Sequence, residues 1–263
     1  MSDAPGVTAP AWPSRRAAWT AAGLLALGNF FAFVDRQVIS LLIEPIKQDF
    51  ALSDTQAALL LGLAFGLFYT LLSIPIGRLV DGWSRKKVAA IGMTIWSIAA
   101  IACGAAQSFV QLFLARMGVG AGEASLNPAA YSMLADYFPK ERLSTAIAVY
   151  TMAAFIGAAA SLIGGGFLLR AFSAHGPYAL PLLGEVAPWQ ITFIILAAPG
   201  LIVALLVLLI QEPQRRGVVA GEKPATFREA LAHMGEGPRR AAFVFLIGAF
   251  TVHTLGSYAG SGW

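Results

Sequence analysis

Charged residues are scarce in this 263-residue chain: Asp, Glu, Lys and Arg make up 12% of it, whereas 57% of the residues are hydrophobic. In soluble globular domains, charged residues account for about a quarter of the sequence. Apolar runs of roughly 20 residues recur along the chain, and that is the length a helix needs to cross a bilayer. The composition therefore excludes a soluble domain and predicts an all-α membrane protein.

Cysteine and catalytic motifs are nearly absent as well. The single cysteine, Cys103, excludes an intramolecular disulfide, and the sequence contains no CxxC or His/Cys spacing of a metal site. The motifs HExxH and GxSxG are also missing, so we expect no enzyme, no cofactor and no metal. The net charge of +4 arises from basic residues in short loops rather than from a basic stripe with interleaved aromatic residues, which argues against nucleic acid as a partner.

The apolar runs predict six spanning helices and the start of a seventh. The runs lie near 17–42, 55–80, 87–107, 110–135, 143–168 and 189–210, and a further one opens at Ala241. The predicted organisation is a cytoplasmic N-terminal tail (1–16), a six-helix transmembrane bundle (17–210), a cytoplasmic linker (211–240) and a seventh helix (241–263). The seventh run reaches Trp263 without a polar flank, which predicts that the chain is incomplete.

The loop charges predict the orientation. Nearly all lysines and arginines of the loops fall on the side that contains the N-terminus, and only Lys47 and Arg170 fall on the other. Because cytoplasmic loops carry the excess of basic residues, the N-terminus is predicted to be cytoplasmic. The expected location is a bacterial inner (plasma) membrane.

Four charged residues interrupt the apolar runs: Asp35 and Arg36 in the first, and Arg116 and Glu123 in the fourth. A charge near the bilayer centre costs from about 2.5 to more than 10 kcal/mol, so such residues usually face a protein interior or an aqueous cavity. With a rise of about 1.5 Å per residue, the four fall within roughly 10 Å of one another along the membrane normal, and Glu123 has no cation at its own depth. The alternative is that they are structural ion pairs that hold two helices together.

The chemistry of these side chains suggests two roles. A carboxylate in a cavity of low dielectric is readily protonated, so Glu123 and Asp35 are the candidates for proton coupling. Guanidinium groups match the geometry of phosphate and carboxylate, so Arg36 and Arg116 are the candidates for binding an anionic headgroup.

The loop between the second and third runs carries a more specific pattern. It resembles the signature loop of the major facilitator superfamily, Gly-x-Leu-Ala-Asp-Arg-x-Gly-Arg-Lys, in which it keeps Gly77, Leu79, Asp81, Arg85 and Lys86 and departs at Gly82 and Ser84. We expect Asp81 to contact Arg85 and the N-terminal ends of helices, and so to hold a cytoplasmic gate formed by Gly77, Asp81, Arg85 and Lys86. The alternative is that the basic residues of the loop serve only as topological anchors.

Within that superfamily the chain resembles the spinster-like transporters. The resemblance rests on Asp35-Arg36, on the run RMGVGAGEAS from Arg116 to Ser125, and on residues 135–139 (ADYFP). It implies twelve helices in two halves, of which this chain is the N-terminal half with the start of the second, and it implies alternating access. The implied partners are a small-molecule or lipid substrate such as a lysophospholipid or sphingoid phosphate, protons, membrane lipids and the missing C-terminal half. The alternatives are an organic-anion or drug transporter of the same superfamily, or a non-transporting receptor or scaffold.

Overall fold

The computed structural model of the protein describes residues 11–176, 178–180 and 184–216, together with 240–241, 244–245, 248–249 and 252. The chain divides into two units, Met1–Gly217 and Val218–Trp263. The described residues of the second unit are helical, and the remainder of the predicted linker and seventh span lies outside the described residues.

The first unit consists of helices that follow the six predicted spans in order. They are α1 (Arg15–Phe50), α2 (Asp54–Ala58) continued through a π-helical turn (Leu59–Leu63) into α3 (Ala64–Gly82), α4 (Arg85–Gly104), α5 (Phe109–Glu123), α6 (Leu126–Tyr137), α7 (Lys140–Ser173), α8 (Pro188–Ala197) and α9 (Pro199–Leu208). Five helical stretches in the described residues are long and apolar enough to cross a membrane. They correspond to all of the predicted spans except the fourth.

The fourth predicted span is divided into α5 and α6. Pro128 has no N–H to donate, and its ring excludes the carbonyl group four residues earlier, so the helical hydrogen-bond ladder stops just before it. At the break, the backbone N–H and the hydroxyl of Ser125 both donate to the Gly122 carbonyl, at 3.2 and 2.8 Å. Glu123 is consequently the last residue of α5.

Glycines let several pairs of helices approach backbone to backbone, two of which concern the helices α1, α3, α5 and α7. Gly157 of α7 faces the Phe30 carbonyl of α1, and Gly120 of α5 faces the Phe65 carbonyl of α3; a Cβ atom at either glycine would collide with that carbonyl. The opposite surface of α7 carries Phe155, Ile163 and Phe167, which are 72%, 77% and 72% exposed. Such a continuous apolar face is suited to contact with lipid.

The end of the bundle opposite the chain's N-terminus is closed by short polar elements. α1 ends where Ala51 adopts a left-handed backbone conformation (φ 50°). Ser53 and Gln56 then form the capping box of α2, with hydrogen bonds of 3.3 and 3.0 Å. Strands β1 (Tyr178–Leu180) and β2 (Gly184–Val186) pair antiparallel in the loop that precedes α8.

Candidate functional site

The four predicted intramembrane charges come together where α1 meets α5. A guanidinium nitrogen (Nη2) of Arg36 lies 2.5 Å from Oε2 of Glu123. The Glu123 side chain is 1% exposed, whereas the Arg36 side chain is 26% exposed. Our expectation that Glu123 has no cation at its own depth is therefore wrong: the rise along each helix ignores the length of the arginine side chain, which reaches Glu123 from the neighbouring helix.

Three aromatic rings surround the Arg36 guanidinium. Its central carbon lies 4.7 Å from the ring centroid of Phe33, 4.6 Å from that of Phe65 and 5.3 Å from that of Tyr69. A cation over an aromatic face gains about 0.5–2 kcal/mol, more when water is excluded. Arg36 is thus held by an anion and by aromatic rings while it stays partly accessible, a combination that suits a ligand-binding cation.

Arg116 lies deeper than Arg36 and faces the same aromatic ring. It is 1% exposed, its guanidinium carbon lies 5.3 Å from the centroid of Phe65, and it donates a 3.4 Å hydrogen bond to the backbone carbonyl of Asp35. The predicted proximity of Arg116 to the other charges is confirmed. Its contact with Asp35, however, is to the main chain and not to the carboxylate.

The Asp35 carboxylate is the polar group of this site with the fewest hydrogen bonds. It is 1% exposed, and Glu123, Arg116 and the Trp96 indole are its polar neighbours. No described residue donates a hydrogen bond to either of its oxygen atoms. An ionised carboxylate buried without donors is energetically expensive, so this group is suited to holding a proton.

A chain of polar side chains continues from the charged site along α6 and α7. The side-chain amide of Asn127 donates to the Tyr69 hydroxyl at 3.0 Å, and its side-chain oxygen (Oδ1) accepts from the Tyr150 hydroxyl at 2.6 Å. The side-chain amide of Asn29 donates to the Tyr150 backbone carbonyl at 2.9 Å. From the sequence, Tyr69 and Tyr150 could either line a substrate path or face lipid, and the roles of Asn29 and Asn127 stay open, so their mutual hydrogen bonds were not predictable. Tyr69 joins it to the aromatic rings around Arg36.

At the start of α4, Arg85 is the centre of a buried ion cluster. It is 1% exposed, forms an ion pair with Asp136, and lies 3.4 Å from Glu212. It also donates to the backbone carbonyls of Ser132 (3.1 Å) and Pro213 (2.6 Å). The start of α4, the end of α6 and the segment after α9 are thereby tied together.

Glu212 completes that cluster. It accepts hydrogen bonds from the Ser84 hydroxyl and from the Arg85 backbone N–H, the latter at 2.7 Å. Partial burial disfavours its charge, but the hydrogen bonds from Ser84 and Arg85 outweigh that cost and hold the pKa of Glu212 below its usual value. Lys86 donates to the carbonyls of Leu208 (3.2 Å) and Ile210 (2.9 Å), next to the end of α9.

The expected contact between Asp81 and Arg85 is wrong. Asp81 is exposed at the end of α3, and within the described residues it makes no ion pair, because the Arg85 side chain turns toward Asp136 and Glu212 instead. At Gly77 an added Cβ atom would point into open space, beyond the backbone of its own helix. Of the four predicted gate residues, Arg85 and Lys86 are brought together with the segment after α9.

Comparison with known proteins agrees with this architecture. The sequence matches the Major Facilitator Superfamily over residues 25–261. It is 37% identical over 195 residues to an MFS-type efflux pump of Mycolicibacterium smegmatis, covering 74% of this chain and 42% of the pump. It is 30% identical over 154 residues to the sphingosine-1-phosphate transporter SPNS2 of Xenopus tropicalis, covering 57% of this chain and 30% of that protein.

A solved structure gives the more specific likeness. The crystal structure of a bacterial homologue of the human lysosomal transporter spinster, in an inward-facing and unoccupied conformation, superposes with a TM-score of 0.70 at 34% identity, covering 86% of this chain and 50% of that one. The chain belongs to the major facilitator superfamily and, within it, is spinster-like. Its relatives are multi-pass membrane transporters and not enzymes, and the chain spans half or less of their length.

Proposed function

We propose that this chain forms the N-terminal bundle of a proton-coupled secondary transporter, which moves an anionic amphiphile by alternating access together with a second six-helix bundle. The observation that carries the proposal is the ion pair between Arg36 and Glu123, which combines a partly exposed cation with a fully buried anion. The excess of basic residues in the loops on the N-terminal side supports a cytoplasmic N-terminus in a plasma membrane.

Arg36 is the proposed anion-binding residue. Its guanidinium is 26% exposed, and the surrounding rings of Phe33, Phe65 and Tyr69 offer apolar surface beside the charge. A phosphate or carboxylate fits the guanidinium fork, and an apolar tail fits the rings. Arg116, behind Phe65 and almost fully buried, adds positive potential and positions α1 through the Asp35 carbonyl.

Coupling follows from competition for Arg36. A substrate anion that binds Arg36 displaces Glu123, which then lies buried without its counter-ion and takes up a proton. Asp35, to whose carboxylate no residue in the described part of the chain donates a hydrogen bond, holds a proton while the site is empty. The two carboxylates thus have different roles because, among the described residues, Glu123 forms an ion pair and Asp35 does not.

Two relatives suggest different substrates. The similarity to a sphingosine-1-phosphate transporter, together with the aromatic rings beside Arg36, favours a lysophospholipid or sphingoid phosphate. The similarity to an efflux pump supports export of another amphiphilic organic compound as the second candidate. A phosphate-monoester headgroup distinguishes the two candidates. Transport of a lysophospholipid or sphingoid phosphate requires this charged headgroup, whereas export of another amphiphilic compound does not.

Binding-linked proton uptake tests the scheme. Lysophosphatidic acid is added to the purified protein in weakly buffered detergent, and a pH-sensitive dye reports protons while calorimetry reports affinity. Wild type should take up protons on binding. Glu123→Gln should bind at least as tightly without proton uptake, because the competitor of the ligand is gone. Arg36→Lys should bind about tenfold more weakly, because the fork is lost.

Arg78→Lys is the matched control, since Arg78 is exposed and far from the site in sequence. It should behave as wild type in both measurements. Proton uptake by Glu123→Gln equal to that of wild type would remove Glu123 from coupling. Equal affinities of Arg36→Lys and wild type would remove Arg36 from headgroup binding.

A further inference from the structure

A cavity lies at the end of the bundle that carries the N-terminus, away from the charged site between α1 and α5. Its volume is about 460 Å³. It opens where the start of α1 meets the turn between α6 and α7. Its lining combines aromatic side chains with arginines, namely Trp12, Trp19, Tyr137, Phe138, Arg15 and Arg142.

The aromatic part of the cavity is firmly packed. Tyr137 and Phe138 form a buried floor, with 2% and 3% exposure. The Trp19 ring meets the Phe138 ring edge-on, with 5.0 Å between the ring centroids. Tyr137 is further fixed by the hydrogen bond that its hydroxyl donates to the Gln211 carbonyl. The cavity is therefore a feature of the helix packing.

Trp12 forms an outer wall, and Arg216 holds it in place. The Arg216 guanidinium carbon lies 3.5 Å from the Trp12 ring centroid, and the same side chain donates a 2.8 Å hydrogen bond to the Ala11 carbonyl. The Arg216 backbone N–H donates to Asp136 at 3.0 Å. The segment before α1 is thus attached to the ion cluster around Arg85 through Asp136.

The rim of the cavity is basic. Arg15 and Arg142 are both exposed, and neither guanidinium forms an ion pair or hydrogen bond with any residue that the structure describes. Glu141 also lines the cavity, but Arg16 and Lys140 adjoin the rim in sequence and leave the local charge positive. Basic groups next to a membrane attract anionic lipid headgroups by about 1 kcal/mol each. Tryptophan is enriched at the same level of the bilayer.

We propose that this cavity binds an anionic phospholipid of the surrounding leaflet, with the phosphate on Arg15 and Arg142 and the first part of the acyl chains against Trp12 and Trp19. Charge complementarity selects the anionic headgroup, and the apolar walls select a lipid over a free anion. A bound lipid would stabilise the contact of Trp12 with Arg216, and thereby the path of the chain after the sixth span.

Native mass spectrometry of the full chain in detergent tests the headgroup preference. Phosphatidylglycerol and phosphatidylcholine with identical acyl chains are titrated separately, each with and without excess inorganic phosphate. The double variant Arg15→Gln/Arg142→Gln is compared with Arg78→Gln/Lys87→Gln, which removes two exposed basic side chains outside the lining. Wild type and the control should prefer phosphatidylglycerol, and the cavity variant should lose about ten- to thirtyfold of that preference.

Quenching of tryptophan fluorescence by brominated lipid shows where the lipid binds in the folded protein. Phosphatidylglycerol brominated near the headgroup should quench wild type more than brominated phosphatidylcholine does, and Trp12→Phe/Trp19→Phe should remove most of that difference. Equal losses in the cavity and control variants would overturn the proposal in favour of general surface charge. Loss of bound phosphatidylglycerol in excess inorganic phosphate would overturn the proposal in favour of a site for free anions. Unchanged quenching in Trp12→Phe/Trp19→Phe would overturn it by placing the lipid elsewhere.

Discussion

Replacement of Arg85 by methionine should destabilise the bundle strongly. The side chain is 1% exposed and serves two carboxylates, Asp136 and Glu212, whose side chains are 10% and 22% exposed. Its removal leaves the nearly buried Asp136 charge without this cation and removes the hydrogen bonds to the carbonyls of Ser132 and Pro213. Breaking a buried pair from one side costs about 3–5 kcal/mol.

For a unit of this size, each kcal/mol lowers Tm by roughly 2–4 °C, so Arg85→Met should lower it by roughly 6–20 °C. Arg85→Lys should fall between Arg85→Met and wild type, because an ammonium group keeps the charge but cannot reach all of the acceptors at once. The assay is thermal unfolding in detergent, followed by intrinsic fluorescence. Lys87→Met removes an exposed charge from the same helix and serves as the control. A Tm of Arg85→Met within about 1 °C of that control would refute the assignment of a stabilising role to the cluster.

Two further predictions concern single positions. The pKa of Glu212 is lowered in the folded state by its hydrogen bonds, so its stabilising contribution is present above the unfolded pKa, near 4.5, and is lost as the pH falls through the folded value. Glu212→Gln should therefore have a lower Tm than wild type at pH 7 and the same Tm as wild type at low pH. The control Glu185→Gln, at an exposed position, should have the Tm of wild type at every pH. A lower Tm of Glu212→Gln that persists at low pH would contradict the reasoning. Gly157→Val should separate α7 from α1 and lower Tm by several degrees, whereas Gly164→Val, where a Cβ atom meets nothing within 4 Å, should not; equal effects in both would argue against the backbone contact at Phe30.

Much of the bundle could be predicted from the sequence because the bilayer sets the helix length and penalises charge. Those two constraints were sufficient to locate the spans and to bring Asp35, Arg36, Arg116 and Glu123 into one site. The pairing was not predictable, since Arg116 and Glu123 share a helix face while the partner of Glu123 comes from α1. Helix packing and side-chain rotamers decide such contacts, and the sequence pattern carries neither.

The cluster around Arg85 was beyond sequence reasoning for a different reason. Asp136 and Glu212 lie 51 and 127 residues after Arg85 along the chain. Glu212 also follows the sixth span in a segment without hydrophobic periodicity. The closeness of Arg85 to Asp81 in the sequence predicted that these two residues pair, whereas in the fold Arg85 pairs with Asp136 and Glu212. The division of the fourth span, in contrast, had a local signal in Pro128, whose effect on the preceding turn is general.

The backbone contacts at Gly157 and Gly120 have a mechanical consequence. α1 and α7 touch backbone to backbone at Phe30 and Gly157, and α3 and α5 do so at Phe65 and Gly120, so no side-chain bulk separates the helices of either pair at these points. Arg36 of the first pair and Glu123 of the second form an ion pair. A ligand that separates Arg36 from Glu123 therefore removes a link between two closely packed helix pairs.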